Sequence, residues 1–457
     1  MPSFTLQEVI GITQAKVVSQ DKEKFSDLVS DTRKITEGVL FLAFKGEKFN
    51  GEDFAAEALK KGAAGVMVSL GCAEEKIREC QGTVLQVEDT LAAYQQLAKA
   101  WRERFPQLPV IAITGSNGKT TTKDLTAAAI SARGPVLKTQ ANYNNEIGLP
   151  LTLLGIREEH TAVVVEIGMR GFHQIEPLAK IAQPQIGIVT NVGETHMELL
   201  GSLENIAKAK AELVEAIPAG GTVILNADNR YVAGMRSQAA EGVRVLTFGI
   251  EQLADVRGEA IRTEGRMTKF MVEYQNERHE YEIAMVGRHN VYNALAAIAA
   301  GFALGLTAEE IHDGLKNLEA TKMRFECQTV KEWQVVNDAY NASPMSMTAA
   351  INTLSELTQG RKIAVMGDML ELGSVSVEAH RKVGQELAEK GFAAVITRGE
   401  MGSYIAEGAE KGGIAAVCRC ASHEAAAEKL HEILQPGDTI LFKGSRGMQM
   451  EKIIDLL

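Results

Sequence analysis

The densest chemistry in the chain lies in ten residues, Thr114 to Lys123, TGSNGKTTTK. They follow an apolar run, Val110 to Ile113, and open onto helix formers from Asp124 to Ile130. Strand, glycine loop and helix start, in that order, wrap backbone N–H groups around an anion at the positive end of a helix. Gly115 and Gly118 let the backbone come close, with Ser116 and Asn117 between them. Lys119 can reach β- and γ-phosphates, and the Thr120 hydroxyl can sit on Mg²⁺. The pattern is shortened, because Ile113 stands where a full phosphate-loop motif has its first glycine. An ordinary glycine turn is the plainer alternative, yet it asks for no Lys-Thr pair at the loop–helix junction. The segment is expected to bind ATP with Mg²⁺.

Other residues of ligand type fall at the ends of apolar runs. Glu166 closes one in VVVEIGMRG, and His196 follows another in TNVGETHMELLG. Ligands bind beyond the carboxyl ends of parallel strands, so the carboxylate could hold a metal there; a structural acid and a structural histidine are the alternatives. In SLENIAKAKAELVEAI the apolar stripe runs through Leu203, Ile206, Ala207, Leu213, Val214 and Ile217. At 3.6 residues per turn Lys210 falls on that stripe and Lys208 points to solvent. An inward lysine needs a partner or a task, unless its head snorkels out. Asn290 and Asn293 are spaced to face one ligand edge on a helix. Arg324, in KMRFE, could clamp a phosphate, and Asp338, in NDAYNASP, ends a predicted strand. Each of these could equally be a satisfied polar group of a core or turn.

Positioning these groups takes an α/β scaffold in about three domains, given 457 residues at ~100–200 per domain. Residues 1–84 read as a small α/β unit with strands at 39–44, 65–69 and 83–87 and a helix at 53–61. Residues 85–317 read as a phosphate-loop domain on a parallel sheet, with continuous apolar strands at 162–167, 186–190 and 222–225 and a hairpin about Gln275 to Arg278. Residues 318–457 alternate strand and helix, which predicts a doubly wound, Rossmann-like sheet. Hydrophobic content of 45% and a formal charge of −11 suit a globular protein and argue against a nucleic-acid partner. The five cysteines form no CxxC pair and are expected to be reduced core thiols. The N-terminus MPSFTLQEVI lacks a signal-peptide pattern, and no apolar stretch is long enough to span a bilayer. A cytoplasmic protein without membrane insertion is expected.

The segments TGSNGKTTTK, NYNNEIGLPLTLL, EIGMRG, GETHMELLGS, GRHNVYNALAA, MRFE, NDAYNASPMSM, GDMLELG and LFKGSRGMQME, in that order, resemble the Mur ligase family. With DTRKITEGVLFLAFKGEKFNG at the start, the resemblance runs nearly end to end. NDAYNASPMSM and GDMLELG look most like the branch that adds a dipeptide. The resemblance implies a three-domain ligase of peptidoglycan precursor synthesis, joining D-alanyl-D-alanine to a UDP-N-acetylmuramoyl-tripeptide with ATP; a monomer is expected. It implies that Lys119 meets the phosphates, that Thr120 and Glu166 hold one Mg²⁺, and that His196 and a carbamylated Lys210 serve a second. Asn290 and Asn293 would meet the adenine region, and Arg324 and Asp338 would reach ATP from the C-terminal side. Ser30, Arg33, Lys45 and Asn50 are candidates for the UDP end, and Asn142, Asn145 and Arg170 for the rest of that substrate. Asn341, Ser343, Lys443 and Arg446 follow predicted strands and are expected to border the dipeptide site, a cation there meeting its terminal carboxylate. A sister ligase adding one amino acid and a nucleotide-driven switch protein are the competing readings.

Overall fold

The computed structural model describes residues 2–46 and 49–457. Glu47 and Lys48, within the N-terminal motif quoted above, lie outside the described residues. The chain divides into two compact units, one of residues 1–110, 134–167 and 177–184 and one of 111–133, 168–176 and 185–457.

The first unit holds a five-stranded sheet in the order Lys16–Ser19, Thr83–Val87, Gly65–Ser69, Leu40–Leu42, Leu28–Val29, parallel except for its first pair. The strands at 65–69 and 83–87 fall where the apolar runs place them, whereas the one expected at 39–44 keeps only its middle. Val39, Phe41, Val66, Val68 and Val84 form one face of the core. Burying such side chains contributes about 1.5–3 kcal/mol each. Asp89 starts the helix Thr90–Glu103 by accepting the Leu91 and Ala92 amides at 2.7 and 3.0 Å. Its buried stripe is Ala93, Tyr94, Leu97, Ala98 and Trp101, and it stops before Pro106. Val136–Lys138 and Ala162–Glu166 pair in parallel in the same unit.

The second unit is built on two sheets. In one, Ile186–Val189 pairs with the strand that ends at Thr114, then come Thr222–Asn226, Arg244–Gly249 and Val256–Glu264, all parallel. Met267–Tyr274 and Glu277–Ile283 extend it antiparallel, joined by Gln275 and Asn276 at φ 52° and 66°. That is the hairpin the polar turn predicts. The strands 244–249 and 256–264 escaped the sequence pattern, the second because VRGEAIRTE alternates charged and small residues. The outermost strand, 277–283, carries exposed Glu277, Arg278 and Glu280. The other sheet has six strands in the order Glu326–Val330, Trp333–Asp338, Thr439–Lys443, Lys362–Gly367, Ala394–Arg398, Ala416–Cys420. All are parallel except the first, a short polar edge strand that the pattern did not reveal. Ser343 caps the helix Pro344–Leu357 with Pro344 in its first turn, and Thr307 and Glu310 form a capping box. Among the described residues no helix is long and apolar enough to cross a membrane. All five cysteines are free, Cys72 buried and the others partly so.

Candidate active site

The loop Gly115–Gly118 leaves the sheet beside the segment after Val189, because Val189 and Thr114 are register partners. Gly115 has φ +152°, and a Cβ there would stand 1.9 Å from Thr190 Oγ1. Gly118 has φ +82°, with Asn293 Oδ1 2.4 Å from where its Cβ would be. Both positions therefore exclude any side chain. Asn191 holds the loop from three sides: its carbonyl accepts the Ser116 amide, its Oδ1 accepts the Asn117 amide and its Nδ2 donates to the Asn117 carbonyl, at 2.9, 2.9 and 3.0 Å. Thr190 Oγ1 donates to the same carbonyl at 2.6 Å, and the Gly193 amide donates to Ser116 Oγ at 2.9 Å. Asn226 Nδ2, from the next strand end, fixes the Thr190 carbonyl at 2.9 Å. Sequence reasoning missed Thr190 and Asn191, although a Thr-Asn pair directly after a buried strand beside a glycine loop was a usable signal.

Lys119 opens the helix Lys119–Ala129 and donates through Nζ to the Gly115 carbonyl at 2.7 Å. Gly118 stands at the N-cap, so no side chain caps this helix start, the arrangement an anion completes. Asn290 and Asn293 are brought together, but as a brace. Asn293 Nδ2 donates to Asn290 Oδ1 at 3.2 Å, Asn290 Nδ2 to the Val286 carbonyl at 2.8 Å, and Thr122 Oγ1 to Asn293 Oδ1 at 3.2 Å. Both amides are buried, so their common face meets the loop helix.

Arg324 does reach the loop. Its Nη2 donates to Thr120 Oγ1 at 3.1 Å, its guanidinium lies 4.0 Å above the Tyr340 ring, and its buried Nε has no hydrogen-bond partner. Ser343 Oγ donates to Asn117 Oδ1 at 2.7 Å, so a residue expected at the dipeptide touches the phosphate loop. Lys443 corrects the expectation of a cation waiting for the dipeptide carboxylate. It is buried, with Nζ 2.5 Å from Asp338 Oδ2 and 3.1 Å from the Asn341 carbonyl. Burial pushes Lys443 below the ordinary lysine range while the Asp338 carboxylate pulls it back up. Asp338 in turn accepts the Phe325 amide at 3.1 Å, so the two ions fasten the 324–326 bend to the sheet. Arg446 is half-exposed and paired with Glu451 at 2.6 Å. The Asn341 side chain accepts the Ala342 amide at 2.9 Å. Nearby His289 is pushed down to about 4, chiefly by burial, and is neutral at physiological pH.

Lys210 lies on the inward face of Leu203–Glu215, 2% exposed, whereas Lys208 is exposed. Burial, and then the charge of Lys119, press its pKa far below the usual lysine value. Among the described residues no ion pair offsets it. His196 has φ 56°, and its Nδ1 lies 2.6 Å from Glu371 Oε2, off the line a ring N–H would take. Arg170 Nη2 is 3.2 Å from the other Glu371 oxygen. Glu371 was not among the expected site residues. GDMLELG had been read only as a marker of the family branch.

In the first unit Glu166 is buried at its strand end and accepts Asn144 Nδ2 at 2.7 Å. Asn144 was missed. Its neighbour Asn145, expected at substrate, instead caps a helix by accepting the Ile147 and Gly148 amides at 3.3 and 2.9 Å, and Asn142 is exposed. Asn50 caps the turn Gly51–Phe54 and forms an isolated bridge with Lys45. Exposed Arg33 pairs with Asp31 at 2.7 Å, and Ser30 is exposed beside them. Mg²⁺ prefers hard oxygen donors and is ordinarily held by one or two protein oxygens together with substrate phosphates. The Thr120 hydroxyl and the Glu166 carboxylate are donors of that kind. Among the described residues no three His, Cys, Asp or Glu side chains come together as a metal cage of their own.

Three family models match the chain: the Mur ligase family catalytic domain over residues 25–102, the Mur ligase middle domain over 113–301, and the Mur ligase glutamate ligase domain over 323–446. The UDP-N-acetylmuramoyl-tripeptide–D-alanyl-D-alanine ligase of Bacillus subtilis (strain 168) is 38% identical over 433 residues, covering 93% of this chain and 92% of that protein. The ligase of the same name from Escherichia coli (strain K12) is 34% identical, covering 100% and 99%. Among solved structures, MurF from Acinetobacter baumannii superposes with a TM-score of 0.92 at 31% identity, covering 100% of this chain and 99% of that one. MurF ligase from Thermotoga maritima, in complex with ADP, gives 0.82 at 27% identity, covering 94% and 96%.

Proposed function

The chain belongs to the Mur ligase family, and from that footing we propose that it joins D-alanyl-D-alanine to a UDP-N-acetylmuramoyl-tripeptide, consuming ATP with Mg²⁺. The observation that carries this reading is Arg324 on Thr120. A guanidinium from the segment after residue 317 meets the phosphate loop, which sets two cations, Lys119 and Arg324, about the place of a transferring phosphoryl group. The tripeptide carboxylate attacks the γ-phosphorus, the bond to ADP breaks, and an acyl phosphate forms. The dipeptide amine then attacks the acyl carbon, loses its proton, and phosphate leaves. Charge spread over the phosphoryl oxygens makes fixed cations and loop amides the main protein contribution. Mg²⁺ would supply neutralisation of phosphate charge, and the family resemblance gives Thr120 and Glu166 as the residues that would hold it, with His196 and a carbamylated Lys210 for a second ion.

The division at 84/85 and 317/318 is the one we assign to precursor, nucleotide and dipeptide domains, working as a cytoplasmic monomer. ADP release measured with the UDP-precursor, with and without D-alanyl-D-alanine, tests the reading. Release that needs both is expected. Release that ignores the dipeptide favours a nucleotide switch, and release better supported by a single amino acid favours a sister ligase.

A further inference from the structure

The segment 367–373 is unusually constrained for a loop. The Met369 amide donates to His380 Nε2 at 2.9 Å, the Leu370 amide to Ser445 Oγ at 2.9 Å, and the Gly402 amide to Asp368 Oδ1 at 2.6 Å. The Ser445 amide returns a bond to the Asp368 carbonyl at 3.0 Å. The loop is thus a rigid extension of its sheet, and Glu371 is its tip. Glu371 has φ +63°, a left-handed conformation that L residues adopt only where the surroundings impose it.

What the tip touches lies on other elements of the same unit. Its carboxylate spans His196 and Arg170 at 2.6 and 3.2 Å, and its carbonyl accepts the Glu198 amide at 3.4 Å. Two residues on, Gly373 has φ +55°, and a Cβ there would stand 2.9 Å from Glu198 Cα. The approach is therefore backbone to backbone, with one carboxylate set between an imidazole and a guanidinium.

We propose that Glu371 is a positioning residue for the amine-transfer step, the point at which the C-terminal sheet is registered against Arg170 and His196. The phosphate loop takes its shape from Asn191, Thr190 and Asn293, and among the described residues Glu371 makes no hydrogen bond or ion pair with them, so the backbone of that loop is set independently. The dipeptide is assigned to the edge of the sheet that bears Glu371, so its delivery depends on that register. This inference rests on the ligase reading above.

Full-length wild type, Glu371→Gln, Glu371→Gly and Arg170→Gln are compared for KM of ATP, kcat/KM of D-alanyl-D-alanine, melting temperature, and amide hydrogen exchange of residues 196–201 and 367–373. Glu371→Gln is expected to melt like wild type, to keep its ATP KM, and to lose about tenfold or more in kcat/KM for the dipeptide. Glycine suits the left-handed turn, so Glu371→Gly should melt no lower yet lose dipeptide turnover equally. The Glu371→Gln and Arg170→Gln losses in kcat/KM for the dipeptide should be less than additive in the double variant, since one contact is removed twice. Wild-type kcat/KM in either Glu371 variant overturns the proposal, as does an equal loss for ATP and dipeptide. Should wild type itself use no dipeptide, the ligase reading fails first. Hydrogen exchange then decides the contact by itself, and equal protection of 196–201 in wild type and Glu371→Gln refutes it.

Discussion

The phosphate loop and the surroundings of Lys210 belong to one compact unit and are built on opposite terms. The loop is finished: three groups of Asn191, the Thr190 hydroxyl and two close approaches at glycine determine its backbone with neutral hydrogen bonds. The Lys210 region is unfinished, holding a buried lysine amine whose charging is opposed by burial and by Lys119, with no ion pair among the described residues. Shape was settled in folding, while charge balance was left to whatever binds. Preorganised amides gain from an arriving anion without rearrangement. A lysine buried without a charged partner is a standing cost that function explains.

The largest break comes at Lys119. Lys119→Ala should cut turnover by about 10²–10³-fold while leaving the melting temperature nearly unchanged, because one charge facing the phosphoryl is lost and the loop keeps its Asn191 bonds. ADP production by the folded variant is the measurement, and near-wild-type rates would contradict the assignment. Lys210→Met comes next, with turnover expected to fall about a hundredfold as melting temperature rises, since an apolar side chain replaces a buried amine that has no ion pair. Lys208→Met, on the exposed side of the same helix, should change neither. Equal mild losses in the two would mean that Lys210 merely snorkels.

Asn191→Leu attacks the finished half. It leaves the Asn117 amide without its side-chain partner, while the carbonyl keeps the Thr190 hydroxyl, and about 1–3 kcal/mol is expected to appear as a roughly 5- to 150-fold weaker ATP affinity by titration. The smallest effect is a pH dependence. His380 is buried and lowered by that burial, accepting the Met369 amide at Nε2 with Nδ1 2.6 Å from the Ser376 carbonyl. Its folded pKa lies below the unfolded 6.5, so the unfolded chain binds the proton first. Stability contributed by the neutral ring is complete above pH 6.5 and is lost as pH falls toward the folded value. Melting curves between pH 7 and 5 should therefore slope less in His380→Gln than in wild type.

Much of this was legible in the chain because it follows from period and punctuation. Continuous apolar runs marked the strands at 162–167, 186–190 and 222–225, and the helical phase separated Lys210 from Lys208. What stayed hidden has one physical cause: polar partners distant in sequence leave no local pattern. Lys443 looked like a free cation because nothing nearby announced that Asp338, 105 residues earlier, would take it. Asn144 and Asn145 are alike in sequence, and only the fold turns one to Glu166 and gives the other to the Ile147 and Gly148 amides. Edge strands such as 326–330 were missed because one-sided burial permits polar sequences.

The charged outer strand Glu277–Ile283 bears on how the molecule survives crowding. Its free edge displays unpaired backbone groups, and such an edge is a template on which any extended chain can polymerise. Glu277, Arg278 and Glu280 stand exposed along it, and Arg278 reaches back to Glu273 at 3.2 Å. An incoming strand would have to strip water from these ions and set like charges against like. The sheet therefore ends where it does because its last strand repels a successor, and the antiparallel arm stays out of fibrils and edge-to-edge aggregates.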